Sequence, residues 1–249
     1  MDGVDVVFHL AAKNCISDCQ LDPVETASIN VLGTVNVFEA ARKKGVRKIV
    51  YSESSALYEG SNIFPTPESD VKPESFYAIS KWSTMLFADA YRRCYGLNST
   101  ALRYFCVYGP VQDYRRTVPP VMSAFIIKIL RGERQIIYGT GEKRRDFVFI
   151  EDINEFHELC VMDSRTDNRV FNLGSGNNYS IREIYDIITE LLGILLEPEY
   201  RPDLPGEALE TLGDIREAEK LGWQPKTEIW QGLTASIAYI RGEISKGRV

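Results

Sequence analysis

The segment Val46-Arg-Lys-Ile-Val-Tyr-Ser52 decides the fold class, because this short, mostly apolar stretch lies between two long stretches whose apolar residues recur at helical spacing. An earlier run, Val4-Asp-Val-Val-Phe-His-Leu-Ala-Ala12, is typical of a parallel strand buried on both faces. In chain order, the pattern predicts strand 4–12, helix 23–44, strand 46–52, helix 76–95 and strand 99–107. Strands and helices that alternate in this way predict an α/β fold with a doubly wound parallel sheet.

The second half of the chain, after Gly109-Pro110, has shorter predicted elements. These are helices 121–131, 152–162, 180–192, 215–221 and 228–245, and strands 135–138, 147–150 and 170–173. Ser180 and Glu183 have the spacing of a capping box, which marks the start of a helix. We expect this half to form a small α/β lobe folded against the sheet.

The composition is that of a globular protein and excludes several functions. With a net charge of −6, the chain lacks the basic stripe usual in nucleic-acid-binding domains. No apolar run reaches the roughly 18–20 residues of a membrane span, and the N-terminus lacks a signal-peptide layout. The cysteines have no framework spacing, and with only two histidines no metal site is expected. We therefore expect a cytoplasmic protein with reduced thiols and no membrane or nucleic-acid partner.

The sequence Tyr77-Ala-Ile-Ser-Lys81 is the first stretch with catalytic potential. Residues four apart on a helix share a face, so the phenol and the ammonium can lie side by side. A nearby cation lowers the pKa of a tyrosine from its usual value of about 10, which makes the phenol usable as an acid or base. Because so short a motif also arises by chance, taken alone it favours a structural helix.

Serine hydroxyls follow the strand that precedes this helix. Ser54 and Ser55 follow the predicted strand 46–52 after one intervening residue, and ligands bind outside the carboxyl ends of parallel strands. A hydroxyl at that point could donate to a substrate oxygen and assist Tyr77. The alternative is an ordinary polar turn.

Eight short motifs occur in the order found in one enzyme family. They are His9–Ala12, Asn30–Thr34, Ser54–Tyr58, Tyr77–Lys81, Arg103–Pro110, Gly139–Phe147, Asn172–Gly176 and Leu221–Pro225. Together they resemble the extended short-chain dehydrogenase/reductases, the NAD-dependent epimerase/dehydratase family, over essentially the whole chain. Within that family, the sequence is most similar to the UDP-glucose 4-epimerases.

The resemblance implies a Rossmann-like fold, NAD as the cofactor and a nucleotide sugar as the substrate. Residues 1–110 would be the remainder of the NAD-binding domain. Residues 111–249 would be mainly the substrate-binding lobe, with segments near 146–175 returning to the Rossmann sheet. Family members commonly dimerise through the two long helices, here Pro23–Lys44 and Phe76–Tyr95, so the resemblance also implies a homodimer.

The resemblance further implies the roles of individual residues. Tyr77 would transfer protons, Lys81 would bind the nicotinamide ribose and tune Tyr77, and Ser54 would hydrogen-bond the reacting sugar hydroxyl. Cofactor contacts would come from the main chain of Ala11 and Ala12 and from Asn30, Tyr77, Lys81 and Tyr104. Substrate contacts would come from Ser54, Ser55, Tyr77, Cys106, Arg145 and Thr211. The Arg145 guanidinium suits a diphosphate, although it could instead be a surface charge beside Arg144.

The residues after Ser54 indicate which reaction of the family to expect. Sugar dehydratases of this family carry an Asp-Glu pair there and UDP-glucuronate decarboxylases a Glu at the second position, whereas this chain has Ser55-Ala56. Without an acid at that place, elimination and decarboxylation are disfavoured. Epimerisation remains: Tyr77 would remove a hydroxyl proton, NAD would accept the C4 hydride, and both would return to the opposite face.

Some positions depart from the family pattern and leave the substrate open. Glu53 replaces a small residue, Cys106 replaces an asparagine that contacts the substrate diphosphate, and Leu204 falls where a second phosphate-binding arginine is usual. Thr211 lies where the family limits the size of the sugar. A small residue there would tolerate an N-acetyl group.

The glycine-rich turn that holds the cofactor pyrophosphate in this family does not occur in the sequence. We therefore expect the chain to begin at the family's fourth strand, through a start-site error or a truncated gene. On this interpretation a protein of this length binds NAD weakly or not at all. The alternative is a non-catalytic module that binds a nucleotide sugar or pairs with a partner that supplies the missing part.

Overall fold

The computed structural model describes residues 1–115, 119–203 and 208–249. The chain divides into two compact units. The first comprises residues 1–105, 154–173 and 213–224, and the second comprises residues 106–153, 174–212 and 225–249. Each unit is therefore assembled from separate segments of the sequence.

The regular elements follow the alternation that the sequence predicts. In chain order the strands are β1 (Val6–His9), β2 (Lys48–Ser54), β3 (Asn98–Tyr104), β4 (Cys106–Tyr108), β5 (Ile136–Tyr138), β6 (Arg144–Arg145), β7 (Phe147–Phe149), β8 (Val170–Leu173), β9 (Tyr179–Ser180) and β10 (Glu199–Arg201). The helices are α1 (Ile16–Leu21), α2 (Pro23–Thr26), α3 (Gly33–Lys43), α4 (Phe76–Tyr95), α5 (Val121–Leu130), α6 (Ile150–Met162), α7 (Ile181–Leu192), α8 (Arg216–Glu219) and α9 (Ile229–Ser245). None of the helices in the described ranges is both long and apolar enough to cross a membrane.

The first unit is built on a parallel sheet with the strand order β1-β2-β3-β8. Because side chains alternate along a strand, the register places Tyr51 of β2 and Phe171 of β8 on opposite faces. Phe38 of α3 packs against Tyr51, with ring centroids 5.6 Å apart. Phe156 of α6 packs against Phe171 on the other face, at 5.1 Å. Helices on both faces confirm the predicted doubly wound α/β fold.

The first strand differs from its prediction as a strand buried on both faces, and that prediction is wrong. Phe8 is 42% exposed and Leu10 is 48% exposed. The physical reason is the position of β1, which pairs only with β2 among the described residues and so forms an edge of the sheet. An edge strand has neighbours on one side only, which leaves apolar side chains accessible.

The predicted helix Pro23–Lys44 is present, but it is not a uniform α-helix. Between α2 and α3 the residues Ala27–Leu32 form a π-helical segment. π-helical turns are rare in proteins, and those that occur are often found at functional sites. Asn30, one of the predicted cofactor-lining residues, lies within this segment and is buried.

The predicted helix 76–95 is confirmed in full as α4, the longest helix of the first unit. Ser75 caps its N-terminus by accepting a hydrogen bond from the amide of Ala78. Gly96 ends it in the left-handed conformation, with φ +68°, which favours glycine. The predicted strand 99–107 is divided, because β3 ends at Tyr104 and β4 pairs with β7 instead.

The second unit consists of short strand pairs and three larger helices. β4–β7 and β5–β10 are parallel and β6–β9 is antiparallel. Helices α5, α7 and α9 supply most of the apolar core. The capping box at the start of α7 is confirmed: Ser180 Oγ accepts from the Glu183 amide at 3.0 Å, and the Glu183 carboxylate accepts from the Ser180 amide at 2.6 Å.

Candidate active site

The residues predicted to act on cofactor and substrate are distributed over both units. The first unit carries Ala11, Ala12, Asn30, Ser54, Ser55, Tyr77, Lys81 and Tyr104, and the second carries Cys106, Arg145 and Thr211. In the first unit they lie mainly at the carboxyl ends of β1, β2 and β3 and in the first turns of α4. Ligands of doubly wound sheets bind at this end. The prediction concerning Leu204 lies outside the described residues.

Tyr77 owes its position to the capped start of α4. The carboxylate of Glu59 accepts hydrogen bonds from the Ser75 amide at 2.7 Å and from the Ser75 hydroxyl at 2.8 Å. These bonds fix the residue that caps the helix, and Tyr77 follows two positions later as the second residue of α4. Its side chain is mostly buried, with the residue 8% exposed. A phenol in a rigid first turn is well placed for proton transfer.

Lys81 lies one helical turn after Tyr77 and is anchored to the end of β2. Its Nζ donates to the Ser52 carbonyl at 2.7 Å and to the Ser52 hydroxyl at 3.0 Å. Burial lowers the pKa of Lys81 to about 8, against the opposing effect of the Glu53 charge. In the described part of the chain, no third group accepts from this ammonium. One N–H therefore remains available to a ligand.

Ser54 is the last residue of β2, and its hydroxyl oxygen accepts from the Ala56 amide at 3.1 Å. This bond caps the 3-10 turn Ser55–Tyr58 and orients the hydroxyl at the carboxyl end of the strand. The Ser54 proton has no acceptor within the ranges that the structure describes. Because a hydroxyl can accept and donate at once, Ser54 can still donate to a ligand.

Asn30 makes more contacts within the protein than the sequence suggested. Its Oδ1 accepts from the Lys13 amide at 2.7 Å, and its Nδ2 donates to the Lys13 carbonyl at 3.0 Å and to Ser80 Oγ at 2.9 Å. Ser80 in turn donates to the Tyr77 carbonyl at 2.7 Å. Asn30 therefore joins the loop after β1 to the first turns of α4. A direct contact with a cofactor remains a prediction.

The loop after β1 has the features of an anion-binding stretch. Ala11 is exposed and Ala12 half-buried. Among residues 1–115, 119–203 and 208–249, no group accepts a hydrogen bond from the amide of either alanine. Two successive amides without a partner can bind the oxygens of a phosphate group. The next residue, Lys13, is held in position by the Asn30 side chain. This geometry fits the pyrophosphate of a dinucleotide.

Tyr104 at the end of β3 is held by a histidine of α6. Its hydroxyl and Nε2 of His157 share a hydrogen bond of 2.7 Å. Burial lowers the pKa of His157, so the imidazole is neutral at physiological pH. The rings of His157 and Phe8 also pack in a T-shaped arrangement, with centroids 5.4 Å apart. No sequence motif links these residues, and only the parallel arrangement of β1, β3 and α6 brings them together.

In the second unit, the two adjacent arginines differ in what they contact. Arg144 donates to Asn178 Oδ1 at 2.8 Å and to its carbonyl at 2.8 Å, and it forms an ion pair with Glu183 at 3.1 Å. Arg145 donates only to the Arg144 carbonyl, at 2.9 Å, and it has no acidic partner within the described ranges. Arg145 is half-buried. Of the two guanidiniums, it is the one free to bind an anion.

The other two predicted substrate residues of this unit lie around Asp146, which is fully buried. The Cys106 amide donates to the Asp146 carbonyl at 2.9 Å, and the Asp146 amide donates to Thr211 Oγ1 at 3.2 Å. Burial raises the pKa of the Cys106 thiol to about 11, which keeps it protonated and unreactive. The structure thus brings Cys106, Arg145 and Thr211 together beside β6.

No cluster of His, Cys, Asp and Glu among the described residues could hold a metal ion.

Comparison with family models identifies the group to which this architecture corresponds. Residues 1–174 match the model described as the NAD dependent epimerase/dehydratase family. This match covers well over half of the chain, and it includes β1, β2, β3 and the whole of α4.

Individual relatives agree with that match over almost the full length of this chain. A protein named putative UDP-glucose 4-epimerase from Methanocaldococcus jannaschii is 35% identical over 240 residues, which are 96% of this chain and 77% of the relative. The solved UDP-glucose 4-epimerase of Thermotoga maritima, with UDP-glucose, is 34% identical, has a TM-score of 0.93 and covers 96% of this chain and 78% of its own. The UDP-N-acetylglucosamine 4-epimerase of Methanobrevibacter ruminantium, with UDP-N-acetylmuramic acid, is 30% identical, with a TM-score of 0.93 and coverages of 97% and 78%.

Proposed function

The chain belongs to the NAD-dependent epimerase/dehydratase family, and on that premise we propose that it is an NAD-dependent nucleotide-sugar epimerase similar to the UDP-glucose 4-epimerases. The observation that carries this proposal is the geometry around α4. Tyr77 occupies the capped first turn, Lys81 is anchored one turn later, and Ser54 ends the neighbouring strand with a hydroxyl proton to donate.

The proposed mechanism assigns one task to each of these side chains. Tyr77 removes the proton from the reacting sugar hydroxyl and later returns it. Lys81 keeps a positive charge one turn from Tyr77, which favours the phenolate form. Ser54 donates its remaining proton to the sugar oxygen and aligns it for transfer. NAD, when bound, supplies the acceptor and donor of the hydride.

The residues present fit NAD in two places. The amides of Ala11 and Ala12 suit the pyrophosphate, because no protein group in the described ranges uses them. The remaining N–H of Lys81 suits a ribose hydroxyl, since an ammonium donates up to three hydrogen bonds. We propose that Asn30 and Tyr104 line the same site, Asn30 through the loop that it holds and Tyr104 through the side chain that His157 fixes.

We propose that the nucleotide diphosphate binds at Arg145, whose guanidinium has no acidic partner among the described residues. A planar guanidinium can donate two parallel hydrogen bonds to a phosphate. Cys106 and Thr211 lie beside the same strand and would contact the substrate there. The small Thr211 leaves the choice between a plain and an N-acetylated sugar open.

Ser55 and Ala56 favour epimerisation over the other chemistry of the family. Neither side chain carries a carboxyl group, so neither can act as the acid that expels water from the sugar. Glu53 precedes Ser54, but its side chain is buried on the face of the sheet that α4 covers. These features support Tyr77 as the proposed acid–base group of this region.

Incubation of the protein with UDP-galactose, UDP-N-acetylgalactosamine or UDP-glucuronate tests the proposal, with NAD in large excess because the sequence lacks the glycine-rich turn and weak NAD binding is expected. We expect at least one substrate to equilibrate with its C4 epimer, as followed by ¹H NMR of the sugar. The absorbance should show no net conversion of NAD to NADH. Loss of carbon dioxide or formation of a 4-keto-6-deoxy sugar would instead indicate decarboxylation or dehydration. No reaction with any of these sugars, although they bind, would favour the non-catalytic alternative.

We further propose that the protein forms a homodimer through α4 and the helical stretch before α3. Both carry large apolar side chains that are exposed. Before α3 the exposed fractions are 42% for Ile29 and 55% for Leu32. On α4 the exposed residues recur at helical spacing: Ile79 is 45% exposed, Trp82 38%, Leu86 55% and Phe87 41%. Exposed apolar patches of this kind mark interfaces. A second copy of the same helices would cover them.

Replacing Leu86 with Glu should therefore convert the dimer to a monomer, because the new charge would be buried without a partner. Sedimentation velocity measures the change. The matched control is Leu195→Glu, which replaces a leucine that is 82% exposed in the second unit and should leave the dimer intact. A wild-type monomer, or a Leu86→Glu dimer of unchanged affinity, would contradict the proposed interface.

We also propose a cytoplasmic location. All five cysteines are free thiols, two of them, Cys19 and Cys160, buried. Reducing compartments keep thiols in this state.

A further inference from the structure

A buried carboxylate lies beside the catalytic helix and has no role in the mechanism proposed above. Glu53 is the next-to-last residue of β2, and its side chain is inaccessible to solvent. In strand register it pairs with Arg103 of β3. A carboxylate is stable in such a place only if charges or hydrogen bonds compensate for its lost hydration, so its surroundings indicate what it does.

The ion pair between Glu53 and Arg103 is incomplete. Glu53 Oε2 lies 3.7 Å from Arg103 Nε, and neither atom has a hydrogen-bond partner among the described residues. The Nη1 atom of Arg103 donates elsewhere, to the Tyr58 hydroxyl at 2.8 Å and to the Glu68 carbonyl at 2.5 Å. A purely structural pair would be expected to use two parallel hydrogen bonds. Here the guanidinium offsets the charge of the carboxylate at a distance of 3.7 Å, without two short parallel hydrogen bonds.

The other oxygen of Glu53 contacts the helix that carries Lys81. Thr84 Oγ1 lies 3.0 Å from Glu53 Oε1 and 2.6 Å from the Lys81 carbonyl. Because a hydroxyl has one proton, it cannot donate fully to both acceptors. The shorter contact is to the Lys81 carbonyl. A single hydroxyl thus connects Glu53 to the turn of α4 from which Lys81 extends.

Charges on each neighbouring element act on Glu53. They are Arg103 on β3 and Lys81 on α4, while Tyr51 on β2 is buried and neutral. Burial raises the pKa of Glu53 to about 7, although both cations oppose the rise. The Glu53 charge in turn counteracts the lowering of the Lys81 pKa by burial. The protonation states of Glu53 and Lys81 therefore depend on each other.

We propose that Glu53 is a positioning residue that acts through Lys81. Its negative charge, held by Arg103 and next to Thr84, keeps the Lys81 ammonium charged and in place at Ser52, so that Tyr77 retains a cationic neighbour. This role rests on the proposed function of Tyr77 and Lys81. This role also explains why an acid, Glu53, occupies a position where the family usually has a small residue.

The test is the pKa of Lys81, measured by NMR on the chain labelled with ¹³C-lysine, with the signal assigned by its absence in Lys81→Arg. We expect Glu53→Gln to lower this pKa by about one unit or more, as the loss of a nearby opposite charge does. Glu53→Asp, which keeps the charge, should restore most of the value. The matched control is Asp89→Asn, an exposed acid on α4 paired with Arg92, which should have no effect.

An unchanged Lys81 pKa in a folded Glu53→Gln variant would overturn the proposal. If that variant does not fold, the wild-type chain still decides. Its Lys81 signal should show a second inflection where Glu53 titrates, and a single inflection would refute the coupling. Because the measurement needs neither substrate nor turnover, it can fail while the proposed epimerase activity stands, and the reverse.

Discussion

Replacing Tyr77 with Phe is expected to lower kcat for epimerisation by about 100- to 10,000-fold, the range that general acid–base catalysis contributes. The substitution removes one oxygen atom from a side chain that is mostly buried in the first turn of α4. The ring remains to fill the same volume, so the fold should be preserved. Because the lost group acts on the reacting proton, KM should change much less than kcat.

The measurement is the initial rate of interconversion with NAD and the substrate identified for the wild type. Tyr95→Phe is the matched control, because Tyr95 is the last residue of the same helix, is 60% exposed and should have no effect on the rate. Circular dichroism must show the same thermal transition in all three proteins. If Tyr77→Phe retained a rate within about tenfold of the wild type, Tyr77 would not be the acid–base group.

Replacing Arg103 with Met is expected to lower the free energy of unfolding by about 3–5 kcal/mol, the usual cost of removing one partner from a buried ion pair. The loss has two causes. Glu53 loses its main counter-charge, so that it must either stay charged without it or take up a proton, and the Tyr58 hydroxyl and Glu68 carbonyl lose a donor. Denaturant unfolding followed by circular dichroism measures the change. Arg92→Met, which breaks an exposed pair within α4, should leave stability nearly unchanged.

The electrostatic contribution to this loss of stability can be recognised from its dependence on pH. Arg103 lowers the pKa of Glu53, so in Arg103→Met that pKa rises above its wild-type value of about 7. A carboxyl whose folded pKa exceeds its unfolded value of 4.5 causes no penalty below 4.5 and an increasing penalty as the pH rises toward the folded pKa. The variant should therefore be least impaired in acid. The double variant with Glu53→Gln should recover part of the loss, and a purely additive result would contradict the pairing.

Sequence rules alone place much of the proposed catalytic centre on the correct elements. Tyr77 and Lys81 are four residues apart on a strongly helical stretch, and helical geometry alone places them on one face. Ser54 follows a short apolar strand, and parallel strands end on the same side of a sheet as their ligands. Both predictions rest on local rules, and the structure has the helix and the strand where these rules put them.

The partners of these residues could not be predicted in the same way. Ser52, which anchors Lys81, lies 29 positions before it, and His157, which holds Tyr104, lies 53 positions after it. Neither pair has a motif, because the contact arises from how a strand and a helix pack rather than from spacing along the chain. The same holds for Asn30, whose predicted contact was a cofactor but whose observed contacts are Lys13 and Ser80.

By itself the sequence determined the order of strands and helices, the parallel sheet and the candidate residues for proton transfer, since each of these follows from periodicity or from side-chain chemistry. Only the tertiary structure decided that β1 is an edge strand, that Arg144 but not Arg145 has an acidic partner among the described residues, and that Glu53 is buried beside Arg103 and connected through Thr84 to the turn that carries Lys81. These properties depend on which groups meet and how much water is excluded between them. That is settled when separate segments pack, and it has no local signature in the chain.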